Sequence, residues 1–167
     1  MSVRSFTYDE VKMIFQLSEN VGLSGKHIGH AGKKHVMIDN DSLGERQTFE
    51  VLRLKKDNGK GAPLSLYTAF RTFHEQITAA VAILNHVNQR DKLAAFDRAP
   101  GRGAELVITD AALDQPTPMR YAIGGSGQVF PCYHFTLWGR KEIGRPHDLH
   151  VVSFFGTMGD FGRRRSD

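Results

Sequence analysis

Cysteine is almost absent from this chain, because only one of its 167 residues, Cys132, carries a thiol. A single cysteine cannot form an internal disulfide or a cysteine-based metal cluster. Cys132 lies in the apolar run VFPCYHFTLW, which favours a small buried side chain over a nucleophile. A hydrophobic core must therefore stabilise the fold, as is usual for proteins that function in a reducing compartment.

Long hydrophobic runs are also missing. No window is apolar enough for a membrane span, and MSVRSFTYDE lacks the apolar core of a signal peptide. We therefore expect that any export depends on another segment or a delivery machine. Phosphate-binding loops and dinucleotide fingerprints are absent too, and GGSGQ is better interpreted as a hairpin turn than as a nucleophile elbow.

The composition is that of one folded domain. Hydrophobic residues make up 40% of the chain and charged residues 24%, which predicts a single domain over 1–167, with a solvated basic tail at 159–167. The formal net charge of +4 indicates an anionic partner, and nucleic acid is the commonest one.

Two segments have helical signatures. TYDEVKMIFQLSEN begins with capping-box spacing at Thr7 and Glu10, and RTFHEQITAAVAILNHVNQ does so at Thr72 and Glu75. A short helix is also predicted from about Ser42. The apolar face of the second helix is predicted to consist of Phe73, Ile77, Ala80, Val81, Leu84 and Val87.

The second half of the chain is typical of a sheet. The strand candidates are LSLYTAF, ELVIT, MRYAI, QVFPCYHFTLW and LHVVSFF, with turn-rich segments such as DAALDQPTP between them. The predicted fold class is α+β, with N-terminal helices packed on a twisted antiparallel β-sheet. We interpret the aromatic residues Tyr67, Phe70, Tyr133 and Trp138 as core or sheet residues rather than base-stacking platforms. His74 and His86 are interpreted as surface or half-buried histidines.

The segment GHAGKKHV, residues 29–36, raises the functional question. His27, His30 and His35 are close enough in sequence to suggest zinc. However, this loop contains no cysteine or carboxylate, and Lys33 and Lys34 oppose a dication. RNA cleavage requires no serine or cysteine nucleophile from the protein, since the ribose 2′-hydroxyl is itself the nucleophile. A histidine can transfer its proton, and a guanidinium can bind the phosphate. A solvated basic loop remains the alternative.

The motif GHAGKKHV resembles the G-H-x-x-x-[KR]-H-V signature of bacterial ribonuclease A-like toxin domains. These domains are the C-terminal cargo of contact-dependent inhibition and related polymorphic toxin proteins. Arg46 stands eleven residues after His35, where the family has its arginine. LYTAFRTFHEQITAAVAILN looks like the strand-then-helix block of the family, and LHVVSFF resembles its closing strand. The resemblance covers residues 20–158.

The resemblance implies a role for each matching residue. His35 would be the acid–base histidine, and Arg46 would bind the scissile phosphate. Ser153 takes the position of a family threonine, so its hydroxyl would contact a phosphate oxygen or position the histidine. Phe155 takes the position of a family tyrosine without its hydroxyl, and His30 would shape the loop. His150 is a candidate for the missing proton donor, although regular alternation would place it and Ser153 on opposite faces. Lys33 and Lys34 would attract RNA.

The resemblance also implies a fold, an activity and a partner. The fold would be a two-lobed ribonuclease A-like domain without disulfides, with its site in the cleft between the lobes. The activity would be metal-independent RNA cleavage to a 2′,3′-cyclic phosphate, with tRNA a candidate substrate and no cofactor. An acidic immunity protein would neutralise the toxin. The domain would be delivered within a larger toxin and act in the cytoplasm of a target bacterium.

Two other functions stay open. One is a non-catalytic module that binds RNA or phosphate through the same basic loop. The other is a zinc-dependent hydrolase that uses His27, His30 and His35.

Overall fold

A computed structural model describes residues 5–20, 29, 36, 66–70, 72–123 and 129–157. The described elements are α1 (Tyr8–Asn20), β1 (Leu66–Ala69), α2 (Phe73–Leu84), α3 (Arg90–Arg98), β2 (Glu105–Ile123), β3 (Val129–Lys141) and β4 (Leu149–Thr157). Short 3-10 turns at Val87–Gln89 and Pro146–Asp148 precede α3 and β4. The combination confirms the α+β class. The predicted helix from Ser42, the GGSG turn and the tail 159–167 lie outside the described residues.

Helix α1 begins at the predicted capping box. The Glu10 carboxylate accepts from the Thr7 backbone N–H at 3.0 Å, and the Glu10 N–H donates to the Thr7 hydroxyl at 3.2 Å. The buried stripe of the helix continues past its apolar residues to a serine. It consists of Val11, Ile14, Phe15 and Ser18.

Helix α2 begins as predicted but ends earlier. The Thr72 hydroxyl accepts from the Glu75 N–H at 3.1 Å, as expected for an N-cap. The helix ends at Leu84, not Gln89, because His86 is extended and its side chain caps the following 3-10 turn. Val87 was therefore wrongly assigned to the buried face, since it is 57% exposed. Helix α3, which follows this turn, was not predicted.

The strands β1, β2, β3 and β4 form one antiparallel sheet in that order. Strand β2 runs over 19 residues, where two short strands and a turn were predicted. The prediction was wrong because DAALDQPTP continues the strand. Its pairing with β3 shifts register at Ile108/Ala111, Ala112/Thr117 and Thr117/Arg120. A strand tolerates proline where its ladder is irregular, and Pro116 and Pro118 fall in this part.

The described helices pack on one face of the sheet. Side chains of α1, α2 and α3 share a buried core with Leu106, Ile108, Phe135, Leu137 and Phe154. Alternation along the strands then directs the intervening residues to the opposite face. We call this the outer face, and its described members include Glu105, Val107, Ala112, His134, Thr136, Trp138, Arg140, His150, Ser153, Phe155 and Thr157.

Candidate functional site

Gly29, the first residue of GHAGKKHV, lies between helix α1 and strand β4. Its backbone N–H donates to the Ser18 carbonyl oxygen at 2.7 Å. A Cβ atom here would lie 2.4 Å from the Val151 carbonyl oxygen and 3.1 Å from that of Ser18. Both obstacles are backbone atoms, which cannot move aside without shifting an element. The close approach of these three segments therefore requires glycine.

Val36, the last residue of the same motif, pairs with Phe70 in a parallel β-bridge. The Phe70 ring is buried and stacks on Phe154, with 5.5 Å between the ring centroids. Both ends of the motif are therefore attached close to β4. The predicted site residues between and beyond these ends lie outside the described residues: His27, His30, Lys33, Lys34, His35 and Arg46.

Strand β4 contains a β-bulge beside Ser153. Trp138 of β3 pairs with Ser153, and the adjacent Gly139 pairs with Val151. One residue on β4, Val152, is therefore left without a counterpart. The bulge interrupts the regular alternation of side chains on which the sequence-based expectation for this strand depended.

Because of the bulge, the side chains of His150 and Ser153 point to the same face of the sheet. Arg140 pairs with His150, and Trp138 pairs with Ser153. Arg140 and Trp138 are two residues apart on a regular part of β3, so they share a face, and directly opposed partners share it with them. The expectation that His150 and Ser153 lie on opposite faces is therefore wrong for this strand.

Ser153 and Phe155 lie on the outer face at the closing strand. Ser153 is 4% exposed. Phe155 is half-buried and pairs with Thr136 of β3. Of the predicted site residues, the structure thus describes Ser153, Phe155 and His150, and it brings all three to one face.

His150 is fully buried and contacts an arginine. Its Nδ1 atom lies 2.5 Å from Nη1 of Arg145. A guanidinium can only donate hydrogen bonds, so Nδ1 must accept and the imidazole must carry its hydrogen on Nε2. Burial lowers the pKa of the Arg145 guanidinium below its ordinary value, and the Glu142 carboxylate opposes that shift. In this contact His150 accepts at Nδ1, which leaves Nε2 as the nitrogen that carries the hydrogen.

Ser18 connects this arginine to helix α1 and to the edge of β4. Its hydroxyl accepts from the Val151 backbone N–H at 2.9 Å and from Nη1 of Arg145 at 3.3 Å, and it donates to the Ile14 carbonyl at 2.5 Å. Sequence reasoning missed both Arg145 and Ser18. For Ser18 a signal existed, because it is a polar residue at a buried position of an amphipathic helix.

In the described part of the chain, no cluster of three or more histidine, cysteine or carboxylate side chains has the geometry to hold a metal ion. The histidines of the 27–35 loop lie outside this part. None of the described helices has the length and apolarity needed to cross a bilayer.

One solved structure has a similar fold. It is a chain of a CdiA-CT/CdiI complex from Y. kristensenii 33638, which superposes with a TM-score of 0.56 at 15% sequence identity. The match covers 77% of this chain and 99% of that chain. At this identity the similarity concerns the fold. No protein-family profile matches the sequence, and no curated protein sequence matches it significantly.

Proposed function

We propose that this chain is a toxin domain that cleaves RNA without a metal ion. Two independent observations support the proposal. The motif GHAGKKHV, with Arg46 and Ser153 in family order, resembles ribonuclease A-like toxins of contact-dependent inhibition. The fold is similar to that of a chain from a CdiA-CT/CdiI complex. We extend the proposal to the two-lobed ribonuclease A-like architecture of a single domain over 1–167.

The observation that carries the proposal is the position of the motif ends relative to β4. Gly29 contacts Val151, and Val36 pairs with Phe70, whose ring stacks on Phe154. Ser153 lies between Val151 and Phe154 in the same strand. The described ends of the segment that would supply the acid–base histidine therefore lie close to the strand that contains Ser153, although about 120 residues separate them in the chain.

In the proposed reaction His35 removes the proton from the ribose 2′-hydroxyl. The 2′-oxygen then attacks the adjacent phosphorus, and the bond from phosphorus to the 5′-oxygen breaks. A general acid protonates the leaving 5′-oxygen. Arg46 and the Ser153 hydroxyl stabilise the negative charge that develops on the phosphate oxygens. The products are a 2′,3′-cyclic phosphate and a 5′-hydroxyl. Lys33 and Lys34 attract the RNA backbone, and His30 shapes the loop.

His150 compensates in part for the missing hydroxyl of Phe155. The bulge places His150 on the face of Ser153, and its contact with Arg145 leaves the hydrogen on Nε2. Its complete burial favours a positioning role through neighbouring groups over direct contact with RNA.

The partner we propose is an acidic immunity protein. The toxin carries a net charge of +4, so an acidic surface would be attracted to it and would cover the phosphate-binding site. The domain would reach the cytoplasm of a target bacterium as part of a larger delivered protein, and tRNA is a candidate substrate there.

The proposal is tested by incubating the purified chain with total RNA in the presence of EDTA. We expect cleavage, with cyclic phosphate ends, and a rate at least about 100-fold lower in His35→Ala and Arg46→Ala. His74→Ala is the matched control, because His74 is exposed on α2 and hydrogen-bonded to the Tyr8 hydroxyl, with 2.8 Å between Nδ1 and the oxygen. Absence of cleavage, or equal cleavage by all three variants, would contradict the proposal. Loss of cleavage in EDTA together with stoichiometric bound zinc would support the zinc-dependent hydrolase.

The second candidate function is a non-catalytic module that binds RNA or phosphate. It is favoured by Phe155, which lacks the hydroxyl of the family tyrosine, and by the burial of Ser153. This function predicts RNA binding that weakens steeply with salt, without turnover. The substitution Phe155→Tyr separates the two, because it should raise the rate of an enzyme and leave a binding module inactive.

A further inference from the structure

Exposure changes across the outer face from one strand to the next. Val107 on β2 is 42% exposed, its partner Trp138 on β3 is half-buried, and Ser153, which pairs with Trp138 on the other side, is 4% exposed. The indole therefore lies at the boundary between the open part of this face and the covered part that contains Ser153.

A guanidinium lies over the indole. The Cζ atom of Arg140 is 5.4 Å from the centroid of the Trp138 ring, within cation–π range. Nη2 of Arg140 is 3.4 Å from the Glu105 carboxylate, which is a loose ion pair. Nε of Arg140 is buried, and no described residue accepts a hydrogen bond from it. The Arg140 side chain is nevertheless 27% exposed, so an incoming polar ligand could contact the accessible part of the guanidinium.

We propose that Trp138 and Arg140 form a base-binding subsite for single-stranded RNA beside Ser153. The inference rests on the proposed function. The subsite would hold the nucleobase that is adjacent to the phosphate contacted by Ser153. Directly opposed residues in an antiparallel pair have Cβ atoms about 5 Å apart, so an aromatic platform and a phosphate-binding hydroxyl are separated here by about the width of one nucleotide. Base–aromatic stacking and arginine contacts are the usual means of binding unpaired bases.

The surroundings of Trp138 fit a nucleobase better than a protein surface. Along β3, the outer-face positions on either side of Trp138 carry the polar residues Arg140 and Thr136. Across the ladders, Trp138 is opposed by the apolar Val107 on β2 and by Ser153 on β4, and Glu105 lies diagonally. A nucleobase combines a flat π face with a polar edge, so it can stack on the indole while its edge meets these groups. An apolar protein contact would bury the same groups without partners, which costs free energy.

The test uses the fact that Trp138 is the only tryptophan in the chain, so its fluorescence reports this position alone. The probe is a single-stranded 2′-deoxy oligonucleotide, which lacks the nucleophile for cleavage. We expect saturable quenching by this oligonucleotide and little quenching by an abasic strand of equal length, because stacking requires the base.

Binding of the same oligonucleotide, labelled for anisotropy, is compared between variants. Trp138→Ala should weaken binding by at least about fivefold, whereas Trp138→Phe should retain much of it. The matched control is Tyr133→Ala, which removes a 45%-exposed aromatic side chain that alternation places on the other face of β3.

The outcomes separate this inference from the proposed function. Saturation without quenching, or unchanged affinity in Trp138→Ala, overturns the subsite even if RNA is cleaved. Quenching by an acidic protein partner but not by the oligonucleotide assigns the surface to that protein and also overturns it. Base-dependent quenching without any RNA cleavage supports the subsite and contradicts the nuclease.

Discussion

Ser18 occupies a position that the apolar stripe of α1 would assign to a hydrophobic side chain. Its hydroxyl instead accepts from the Val151 N–H of β4 and contacts Arg145, which in turn donates to Nδ1 of His150. One buried hydroxyl thereby connects the helix, the edge of the sheet and the candidate site. A buried backbone N–H without a partner is costly, so the serine is needed where helix propensity alone would not select it.

We predict that Ser18→Ala lowers the free energy of unfolding by about 1–3 kcal/mol, because it leaves the Val151 N–H unsatisfied. Urea denaturation measures this change. Gln16→Ala, at an exposed position of the same helix, is the control and should change stability by less than about 0.5 kcal/mol. Equal stabilities of the two variants would show that another group replaces the hydroxyl.

The elements divide into those specified by nearby residues and those specified by pairing. The starts of α1 and α2 were predictable because a capping box lies within four residues of chain. The continuity of β2 through two prolines and the bulge at Val152 were not, because both depend on how β3 pairs. Helix α3 was missed because it buries only Leu93 and Phe96 in an otherwise polar segment.

Helix α3 depends on a cation from the sheet. The buried Lys141 at the end of β3 donates to the carbonyl oxygens of Phe96 at 2.6 Å, Asp97 at 3.1 Å and Ala99 at 2.8 Å. These carbonyls lie at the C-terminus of the helix, where they lack intrahelical donors and where the helix dipole favours positive charge.

We predict that Lys141→Met, which preserves the length of the side chain, lowers the free energy of unfolding by about 2 kcal/mol. Hydrogen exchange should rise most strongly in Arg90–Arg98. Lys92→Met is the control, because the Lys92 ammonium is exposed and contacts a single carbonyl, that of Val107, at 3.2 Å. Protection of α3 that is equal in both variants would contradict the capping role.

At the scale of the whole molecule, the N-terminal segment packs against the 3-10 turn Pro146–Asp148 that precedes β4. The Phe6 ring stacks on His147 with 3.9 Å between the centroids, and Nε2 of His147 lies 3.1 Å from the Glu10 carboxylate. The Thr7 backbone N–H, assisted by His147, lowers the pKa of Glu10 below its ordinary value of 4.5. The Glu10 charge therefore contributes to stability above that pH, and the contribution disappears as the pH falls through the lowered pKa.

We predict that Glu10→Gln lowers the free energy of unfolding at pH 7 by less than about 1 kcal/mol, since the carboxylate is largely solvated. Glutamine keeps a capping oxygen, so the variant removes mainly the charge. In urea denaturation, the difference between the two proteins should shrink as the pH is lowered below 4.5. A difference that stays constant from pH 7 to acidic pH would attribute the effect to geometry and not to charge.

In the candidate site, as in the fold, local sequence patterns predict some residues, and tertiary contacts determine the others. Ser153 and Phe155 could be assigned because the closing strand has a pattern that resembles a family. Arg145 and Ser18 could not, because no spacing in the chain predicts that a turn and a helix meet at β4. From the sequence, Trp138 is interpreted as a core or sheet residue and not as a base-stacking platform, and the proposed subsite departs from that interpretation. The grounds for all three residues are tertiary contacts.

The bulge at Val152 has a consequence for the length of the chain. Because Val152 has no counterpart on β3, its deletion would leave Val151 opposite Gly139 and Ser153 opposite Trp138. The outward set of His150, Ser153 and Phe155 would then be unchanged, although the spacing between the first two would fall from three residues to two. Distance along the sequence and orientation on the sheet are thus independent here. A protein with a closing strand one residue shorter could present the same groups, provided that an alignment places its gap at this position.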